Sequence, residues 1–307
     1  KDFNILARHT MPTDAHEGLD ATLGRIIESI REMLPSNPDD VDGIGISAPG
    51  PLNPWTGVVV APPNLPGWHH VPLVDIVKRE FHLPVYLGND ANVAALAESM
   101  SGAARRDDYR NVVFLTQSTG VGSGVIVDGR MLLGRSGLAA EAGHVPIIVN
   151  GHVSSIELEC AGPSMARRAR AHIEQGATSV ILELANGALS AINGKHVGIA
   201  AHQGDKVALE VVSHAARIMG LGIVGLLHMF NPDIVVLGGG VALGLGDLLF
   251  EPIRETVKQY VRDAEYIVPI VPAQLGDDVS LIGAAALVPT QGGIIDVAEV
   301  ARRMGID

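Results

Sequence analysis

The sequence lacks several features that mark particular classes of protein. Its 307 residues include a single cysteine, Cys160, which excludes an intramolecular disulfide framework and fits a reducing compartment. No uninterrupted apolar run approaches the roughly 20 residues that span a bilayer, and the first residues lack the pattern of a signal peptide. Basic residues are few, with 22 Lys and Arg against 34 Asp and Glu. We therefore expect a cytoplasmic protein whose main partners are neither nucleic acids nor membranes.

Glycine and alanine are abundant, whereas aromatic residues make up only 4% of the chain. This composition is typical of an α/β enzyme with tight strand-to-helix turns, and the length allows one large or two modest domains. Hydrophobic periodicity predicts helices at 16–34, 73–81, 91–100, 164–174, 206–230, 249–261 and 281–287. Strands are predicted at 5–8, 44–50, 58–61, 85–87, 112–116, 124–127, 233–237 and 267–271. The alternation indicates a mainly parallel sheet with ligands at the carboxyl ends of its strands.

The most informative stretch is 84–98, where a short β-type run ends at Gly88 and the pair Asn89-Asp90 precedes an Ala-rich helix. At a helix N-terminus the macrodipole favours an ionised Asp90, and backbone N–H groups orient it. Such a carboxylate can take the proton of a substrate hydroxyl as its oxygen attacks. For a lone Asp, a simple N-cap is the better interpretation. Two glycine loops and the pair Glu141 and His144, described next, favour the catalytic interpretation of Asp90.

Two glycine clusters are candidates for contacts with phosphate. In Thr119-Gly-Val-Gly-Ser-Gly124 the missing Cβ atoms allow backbone N–H groups to approach a phosphate, although a plain hairpin turn explains this loop equally well. Gly238-Gly-Gly240 follows an apolar strand and is the stronger signal of a nucleotide. A dinucleotide site is disfavoured, because the first βα unit lacks the G-x-G-x-x-G pattern. With Asp90, these loops indicate phosphoryl transfer to a hydroxyl.

Four further polar residues are candidates for holding a polyol. Asn64 lies in the proline-stiffened loop 62–68, and Glu141 and His144 are three residues apart, so they share one face of a helical turn. Glu157 lies in Ser155-Ile-Glu-Leu-Glu159. Each of the last three also has a plain structural explanation: a solvated charge for Glu141, a loop histidine for His144 and the start of a surface helix for Glu157.

These motifs resemble those of the ROK family (repressors, open reading frames and sugar kinases), most closely its glucokinase-like members. The resemblance covers nearly the whole chain, and in combination its motifs are highly specific. The matching stretches are 43–51, 61–68, 87–92, 119–124, 141–144, 162–168 and 230–240.

The resemblance implies an α/β, actin-like ATPase (ribonuclease H-like) fold, with two lobes and a cleft between them. The expected domains are a small lobe at 1–110, a large lobe at 111–282 and a helical segment at 283–307 that packs back on the small lobe. Asp90 would be the base for the sugar 6-hydroxyl. The other sugar contacts would come from Asn64, Asn89, Glu141, His144 and Glu157. The ATP site would be lined by Thr119, Gly120, Gly122, Gly238, Gly239 and Gly240.

Two departures from the family pattern bear on cofactors. Family kinases open with a strand bearing Asp-x-Gly-Gly-Thr, which cradles ATP phosphates and helps to place Mg²⁺. This sequence starts after that point, and we expect that the sequence given omits the first strand, because its loss would leave a sheet with unpaired backbone. The second departure is the family's zinc loop, Cys-x-Cys-x-x-x-x-Cys. Ser155 stands at the position of the last cysteine and Cys160 lies outside the pattern, so one cysteine cannot supply the thiolates.

Two functions from different classes follow. The first is ATP- and Mg²⁺-dependent phosphorylation of a hexose at its 6-hydroxyl, with glucose as the leading substrate. The second is a sugar-binding ROK regulator without kinase activity. The presence of Asp90, which sensing alone would not require, favours the kinase. Relatives suggest a homo-oligomer, either a dimer or a tetramer.

Because the cysteines of the family's zinc loop are missing here, we predict that the protein contains no structural zinc. Elemental analysis of the purified protein should show far less than one zinc per chain. A zinc-selective chelator should leave the melting temperature unchanged, because no metal-binding free energy is coupled to folding. Stoichiometric zinc bound through His144 would overturn this interpretation of the loop.

Overall fold

A computed structural model describes residues 3–37, 40–106 and 108–305, and the structural statements below concern these residues. The α-helices are α1 (Leu19–Met33), α2 (Leu73–Phe81), α3 (Asp90–Ser101), α4 (Ile156–Cys160), α5 (Gly162–Glu174), α6 (Val180–Leu184), α7 (Gly194–His202), α8 (Lys206–Phe230), α9 (Gly240–Leu245), α10 (Asp247–Tyr260), α11 (Val279–Leu287) and α12 (Val297–Met304). The strands are β1 (Ile44–Ala48), β2 (Leu52–Asn53), β3 (Val58–Val59), β4 (Val85–Asn89), β5 (Val112–Gln117), β6 (Val121–Val127), β7 (Arg130–Met131), β8 (Pro146–Val149), β9 (His152–Ser155), β10 (Ile234–Gly238) and β11 (Ile270–Pro272). Short 3-10 helices cover Ala15–Glu17, Ala142–His144, Leu189–Ala191, Ala264–Tyr266 and Gly276–Asp278.

The predicted alternation of helices and strands is confirmed, and α2 and α8 have the predicted bounds. The strand predicted at Ile5–Arg8 is wrong, since residues 3–14 form neither helix nor strand. Leu6 in this segment is 96% exposed, so this short apolar run is not packed in a core. The strand predicted at 267–271 begins later, at Ile270, and β3 is shorter than the predicted 58–61.

The chain divides into two compact units. The first comprises 1–110, 126–140 and 275–307, and the second comprises 111–125 and 141–274. In the first unit β1 and β4 pair in parallel, from Ile44↔Val85 to Ala48↔Asn89. At the end of β4 the chain enters α3 directly, which places Asn89 and Asp90 at a strand-to-helix junction.

Helix α11 packs closely on both β1 and α3 within the first unit. This closeness depends on two glycines: a Cβ at Gly45 would overlap the carbonyl group of Ala284, and a Cβ at Gly283 would overlap that of Val93. Helix α12 also packs against α3. The C-terminal segment is therefore part of the support of the junction that carries Asp90.

In the second unit β10 pairs in parallel with both β5 and β11. Every residue of β10 is buried, as expected for a central strand covered on both faces. The strand order is β11-β10-β5-β6. Helix α8 packs against α4, α5, α7 and α10 and supplies much of the core of this unit.

Helix α8 is the one described helix that is long and apolar enough to cross a membrane by length and composition alone. A search for uninterrupted apolar runs does not detect it, because charged residues interrupt it. Of its apolar window, 56% is buried within the structure. The core helix of a globular domain meets the same criteria, so this is weak evidence for a membrane span.

The close contact at Gly283 predicts a contrast between two glycine-to-alanine substitutions. Gly283→Ala should lower the free energy of unfolding by about 1–3 kcal/mol, because the new methyl group meets the backbone of α3. Gly24→Ala is the matched control, since Gly24 also lies in a helix of the first unit but has open space around it. Alanine there should stabilise by up to about 1 kcal/mol. Urea unfolding of the two variants measures the difference, and equal stabilities would show that α11 does not pack this closely.

Candidate active site

Two glycine turns of the second unit lie next to each other because β5 and β10 are parallel neighbours. Thr116 is paired with Gly238 at the carboxyl ends of these strands. Gly239 has a φ of +91°, and a Cβ there would overlap the carbonyl group of Gln117. The left-handed conformation and the close approach both require glycine at this position. The structure thus places the turn 118–120 beside the turn 238–240.

A pocket of about 660 Å³ opens beside these turns, and Thr119 and Gly240 both line it. Its walls come from α7, α9 and the first part of α5. Arg170 and Lys195 bring positive charge to it, and none of the described residues that line it is acidic. The remaining lining residues are Ser118, Gly162, Pro163, Ala166, Ile192, Asn193, Gly194, Gly198, Ile199, His202, Val241, Gly244 and Leu245. The volume of the pocket and the chemistry of its lining suit a ligand with a planar base and an anionic tail.

Helix α7 supplies one wall of this pocket, and the sequence interpretation missed it. A signal was present: Asn193 caps the helix by accepting a hydrogen bond from the backbone N–H of His196 at 3.1 Å. The residues Val197, Ala200 and Ala201 that follow have helical spacing and are buried. At the start of α7, Gly194 lies against Gly162 of α5, since a Cβ on Gly194 would be 3.0 Å from the Gly162 Cα atom.

Glu157 is held on the turn between β5 and β6. Its Oε2 atom accepts a hydrogen bond from the backbone N–H of Val121 at 3.0 Å. A Cβ on Gly120 would be only 2.6 Å from the same oxygen, so glycine at this position leaves room for the carboxylate. Ser155 caps the first turn of α4 by accepting from the Leu158 N–H at 3.2 Å. The candidate sugar ligand and the candidate phosphate loop are therefore in direct contact.

Glu141 precedes the short 3-10 helix Ala142–His144, and His144 is its last residue; both are exposed. The turn is fixed to β6, because the N–H of Ala142 donates to the Ser123 hydroxyl at 2.9 Å. Gly143 approaches so closely that a Cβ there would overlap the carbonyl group of Val121. The structure thus gathers Glu141, His144 and Glu157 around one short piece of β6.

The first unit carries the other three predicted residues. Asn89 is the N-cap of α3, and its Oδ1 atom accepts from the Ala91 N–H at 3.0 Å. Asp90 is the first residue of the helix, and its Oδ1 atom accepts from the same N–H at 2.8 Å. The Asp90 side chain is exposed, so the carboxylate is both oriented and accessible. Asn64 is also exposed, in a turned loop that Trp68 anchors by its burial.

The described residues contain no group of three or more His, Cys, Asp or Glu side chains placed to hold a metal ion. Cys160 is fully buried, and this burial, together with the neighbouring Glu159 charge, raises the pKa of its thiol well above the usual range. A protonated thiol is a poor metal ligand and nucleophile. That the protein lacks structural zinc stays a prediction.

Parallel strands with glycine turns at their carboxyl ends, beside a pocket that Arg170 and Lys195 line, are typical of nucleotide-binding α/β proteins. The sequence model of the ROK family matches residues 1–291. The chain belongs to the ROK family. Glucokinase from Thermotoga maritima is 33% identical over 300 residues, which cover 95% of this chain and 93% of that protein.

Two solved structures extend the comparison. A ROK family glucokinase from Streptomyces griseus, in complex with glucose and AMPPNP, has a TM-score of 0.71 and 33% identity, covering 86% of this chain and 87% of that one. A ROK hexokinase from Thermus thermophilus has a TM-score of 0.74 and 30% identity, covering 90% of this chain and 88% of that one. These similarities confirm the predicted family and the actin-like ATPase fold, and they support a sugar kinase.

The two glycines of the β10–α9 turn should respond differently to alanine. Gly239→Ala should cost about 3 kcal/mol or more of stability, because it adds backbone strain and overlap with Gln117. Gly240→Ala is the matched control, since Gly240 has open space and begins a helix. Its stability should change by no more than about 1 kcal/mol. Thermal unfolding monitored by circular dichroism measures both variants, and a stable Gly239→Ala protein would contradict this geometry.

Proposed function

We propose that the protein catalyses ATP-dependent phosphorylation of a hexose at its 6-hydroxyl, with glucose as the preferred substrate. The observation that carries the proposal is the exposed Asp90 carboxylate, fixed at the start of α3 in a chain of the ROK family. The named glucokinase relative, at 33% identity, and the solved glucokinase complex with glucose and AMPPNP support the reaction class and the substrate.

Asp90 acts as the general base. One carboxylate oxygen is held by the Ala91 N–H, which orients the group while the side chain stays open to a substrate hydroxyl. The carboxylate takes the proton of the 6-hydroxyl as that oxygen attacks the terminal phosphorus of ATP, and ADP leaves. Phosphoryl transfer passes through a loose transition state. Orientation of the reactants and stabilisation of charge therefore account for most of the rate enhancement.

We assign the remaining hydroxyls of the sugar to the other polar side chains that the sequence predicts, which are Asn64, Asn89, Glu141, His144 and Glu157. Of these, Glu141, His144 and Glu157 lie around the same piece of β6. Carboxylate and amide groups suit this task, because they accept or donate the paired hydrogen bonds that distinguish one hexose from another.

The pocket between α5, α7 and α9 binds the nucleotide. Backbone groups of Thr119, Gly120 and Gly122 and of Gly238, Gly239 and Gly240 approach the phosphates, while Arg170 and Lys195 add positive charge. Mg²⁺ enters with ATP and neutralises its phosphate charge.

Three further predictions belong to this proposal. The two compact units correspond to the small and large lobes of a ROK kinase. The protein works in the cytoplasm, and it forms a dimer or tetramer. A sugar-binding regulator without transfer is the alternative function, and the glucokinase relatives give it less support than the kinase.

A coupled assay of ADP release across a panel of hexoses tests the proposed function. Glucose, mannose, fructose and N-acetylated hexosamines are each supplied with ATP and Mg²⁺, and omission of Mg²⁺ should abolish turnover. Hexose-dependent ADP release, highest with glucose, is the expected result. Calorimetric binding of a hexose without any ADP release would favour the regulator.

The variant Asp90→Asn tests the base directly. The amide keeps the size of the side chain but cannot take a proton, so turnover should fall by roughly 10²-fold or more while hexose affinity changes little. Asp75→Asn is the matched control, because Asp75 is also an exposed carboxylate in the first turn of a helix of the first unit. Steady-state kinetics and calorimetry measure the two effects. Near-normal turnover in Asp90→Asn would remove Asp90 from this role.

A further inference from the structure

A polar network that the proposed reaction does not use lies on the far side of helix α4 from Glu157. Glu159 is at its centre. Its Oε1 atom accepts a hydrogen bond from the Ser154 hydroxyl at 2.6 Å. Its Oε2 atom accepts from Arg168 at 2.9 Å and lies 2.7 Å from the His214 ring nitrogen Nε2. The network therefore links β9, α4, α5 and α8 through one carboxylate.

This carboxylate is well shielded from water for a charged group, with its side chain only 13% exposed. Burial alone opposes ionisation, but the hydrogen bonds from Ser154, His214 and Arg168 outweigh it, so the pKa of Glu159 lies below its usual value. The group is thus a permanent anion at neutral pH. A shielded anion with three partners holds its position much more firmly than an exposed surface charge.

The geometry of α4 connects this network to Glu157. Ile156 and Cys160 are the buried residues of the helix, and with 3.6 residues per turn Glu157 and Glu159 lie about 80° to either side of the face they form. Glu157 is tied to Val121 on one side, and Glu159 is tied to its three partners on the other. The two anchors therefore resist rotation of the helix in opposite directions.

Helix α4 is only five residues long and has little stability of its own, so contacts from outside the helix hold it in place. The carbonyl oxygens of Glu157, Leu158 and Cys160 accept hydrogen bonds from neighbouring side chains. The Leu158 side chain, between the two acids, is 53% exposed, so among the side chains outside the buried face the two acids hold the helix. A small rotation about the buried face would carry the Glu157 carboxylate away from the Val121 N–H.

We propose that Glu159 is a positioning residue for hexose binding: by holding α4 through Ser154, Arg168 and His214, it keeps the Glu157 carboxylate where the sugar meets it. The proposal rests on the proposed function, since it takes Glu157 as a sugar ligand. Glu159 itself touches neither substrate. Its effect is therefore on the affinity for the hexose rather than on the nucleotide.

The variant Glu159→Gln tests this role, because glutamine keeps the shape of the side chain and removes its charge. The KM for the hexose should rise about 10-fold, while kcat and the KM for ATP change by less than about threefold. Glu210→Gln is the matched control. Glu210 lies on α8 one turn before His214, its side chain is 67% exposed, and its Oε2 atom lies 3.9 Å from the His172 ring nitrogen Nδ1. The control should leave all three constants unchanged.

A double-mutant cycle separates positioning from general stability. If Glu159 acts through Glu157, adding Glu159→Gln to Glu157→Gln should raise the hexose KM by less than about twofold. Fully additive effects would overturn the proposal. So would a Glu159→Gln protein with a lowered melting temperature and an unchanged hexose KM.

If Glu159→Gln fails to fold, the milder substitution Ser154→Ala provides a second test. It removes only the bond to Oε1, and an increase of about threefold in the hexose KM is expected; no change would count against the proposal. Wild-type protein without hexose-dependent ADP release would overturn the proposed function and this inference together. Active wild type with an unaffected KM in the variants would overturn the inference alone.

Discussion

The positions of the candidate polar ligands in the second unit depend on one close contact. Glu157 and the turn 142–144 both pack against the start of β6. The Val121 N–H binds the Glu157 carboxylate, and the Val121 carbonyl lies against Gly143. Neither contact leaves room for a side chain at Gly120 or Gly143. A backbone group is a rigid anchor, since it moves only with its strand. Polar side chains fixed in this way need little reorganisation when they bind a polyol, which favours both affinity and discrimination between sugars.

The same principle operates at the junction that carries Asp90. Helix α3 is supported by α11, which approaches it closely because Gly283 has no side chain. The side chains of Asn89 and Asp90 then both accept from the N–H of Ala91, in the first turn of α3. Both units therefore place an acidic group on backbone that glycine contacts hold in position. Such rigidity matters for phosphoryl transfer, where catalysis depends on orientation more than on covalent chemistry.

Local patterns predicted much of this architecture. The long periodic segment 206–230 and the junction at Asp90 are where the sequence placed them. The hairpin of β8 and β9 was missed, although its turn, Asn150-Gly151, is a strong hairpin signal and has positive φ at both residues. The strand predicted at Ile5–Arg8 was wrong, because a short apolar run forms a strand only where another strand pairs with it. The network of Glu159 had no local signal, since its partners Arg168 and His214 are distant in sequence and meet only when α5 and α8 pack around α4.

The proposed binding of ATP to an acidic chain raises an electrostatic question. A formal net charge of −12 would repel a polyanion if charge acted over the whole surface. At physiological ionic strength, however, charges separated by more than about 8 Å are largely screened, so the groups at the pocket decide the interaction. Arg170 and Lys195 line it, and its described lining residues include no carboxylate. Glu157, one of the proposed sugar ligands, accepts a hydrogen bond from Val121 and does not line this pocket. The proposed nucleotide pocket is thus locally positive, and the net charge of the chain does not oppose the proposed reaction.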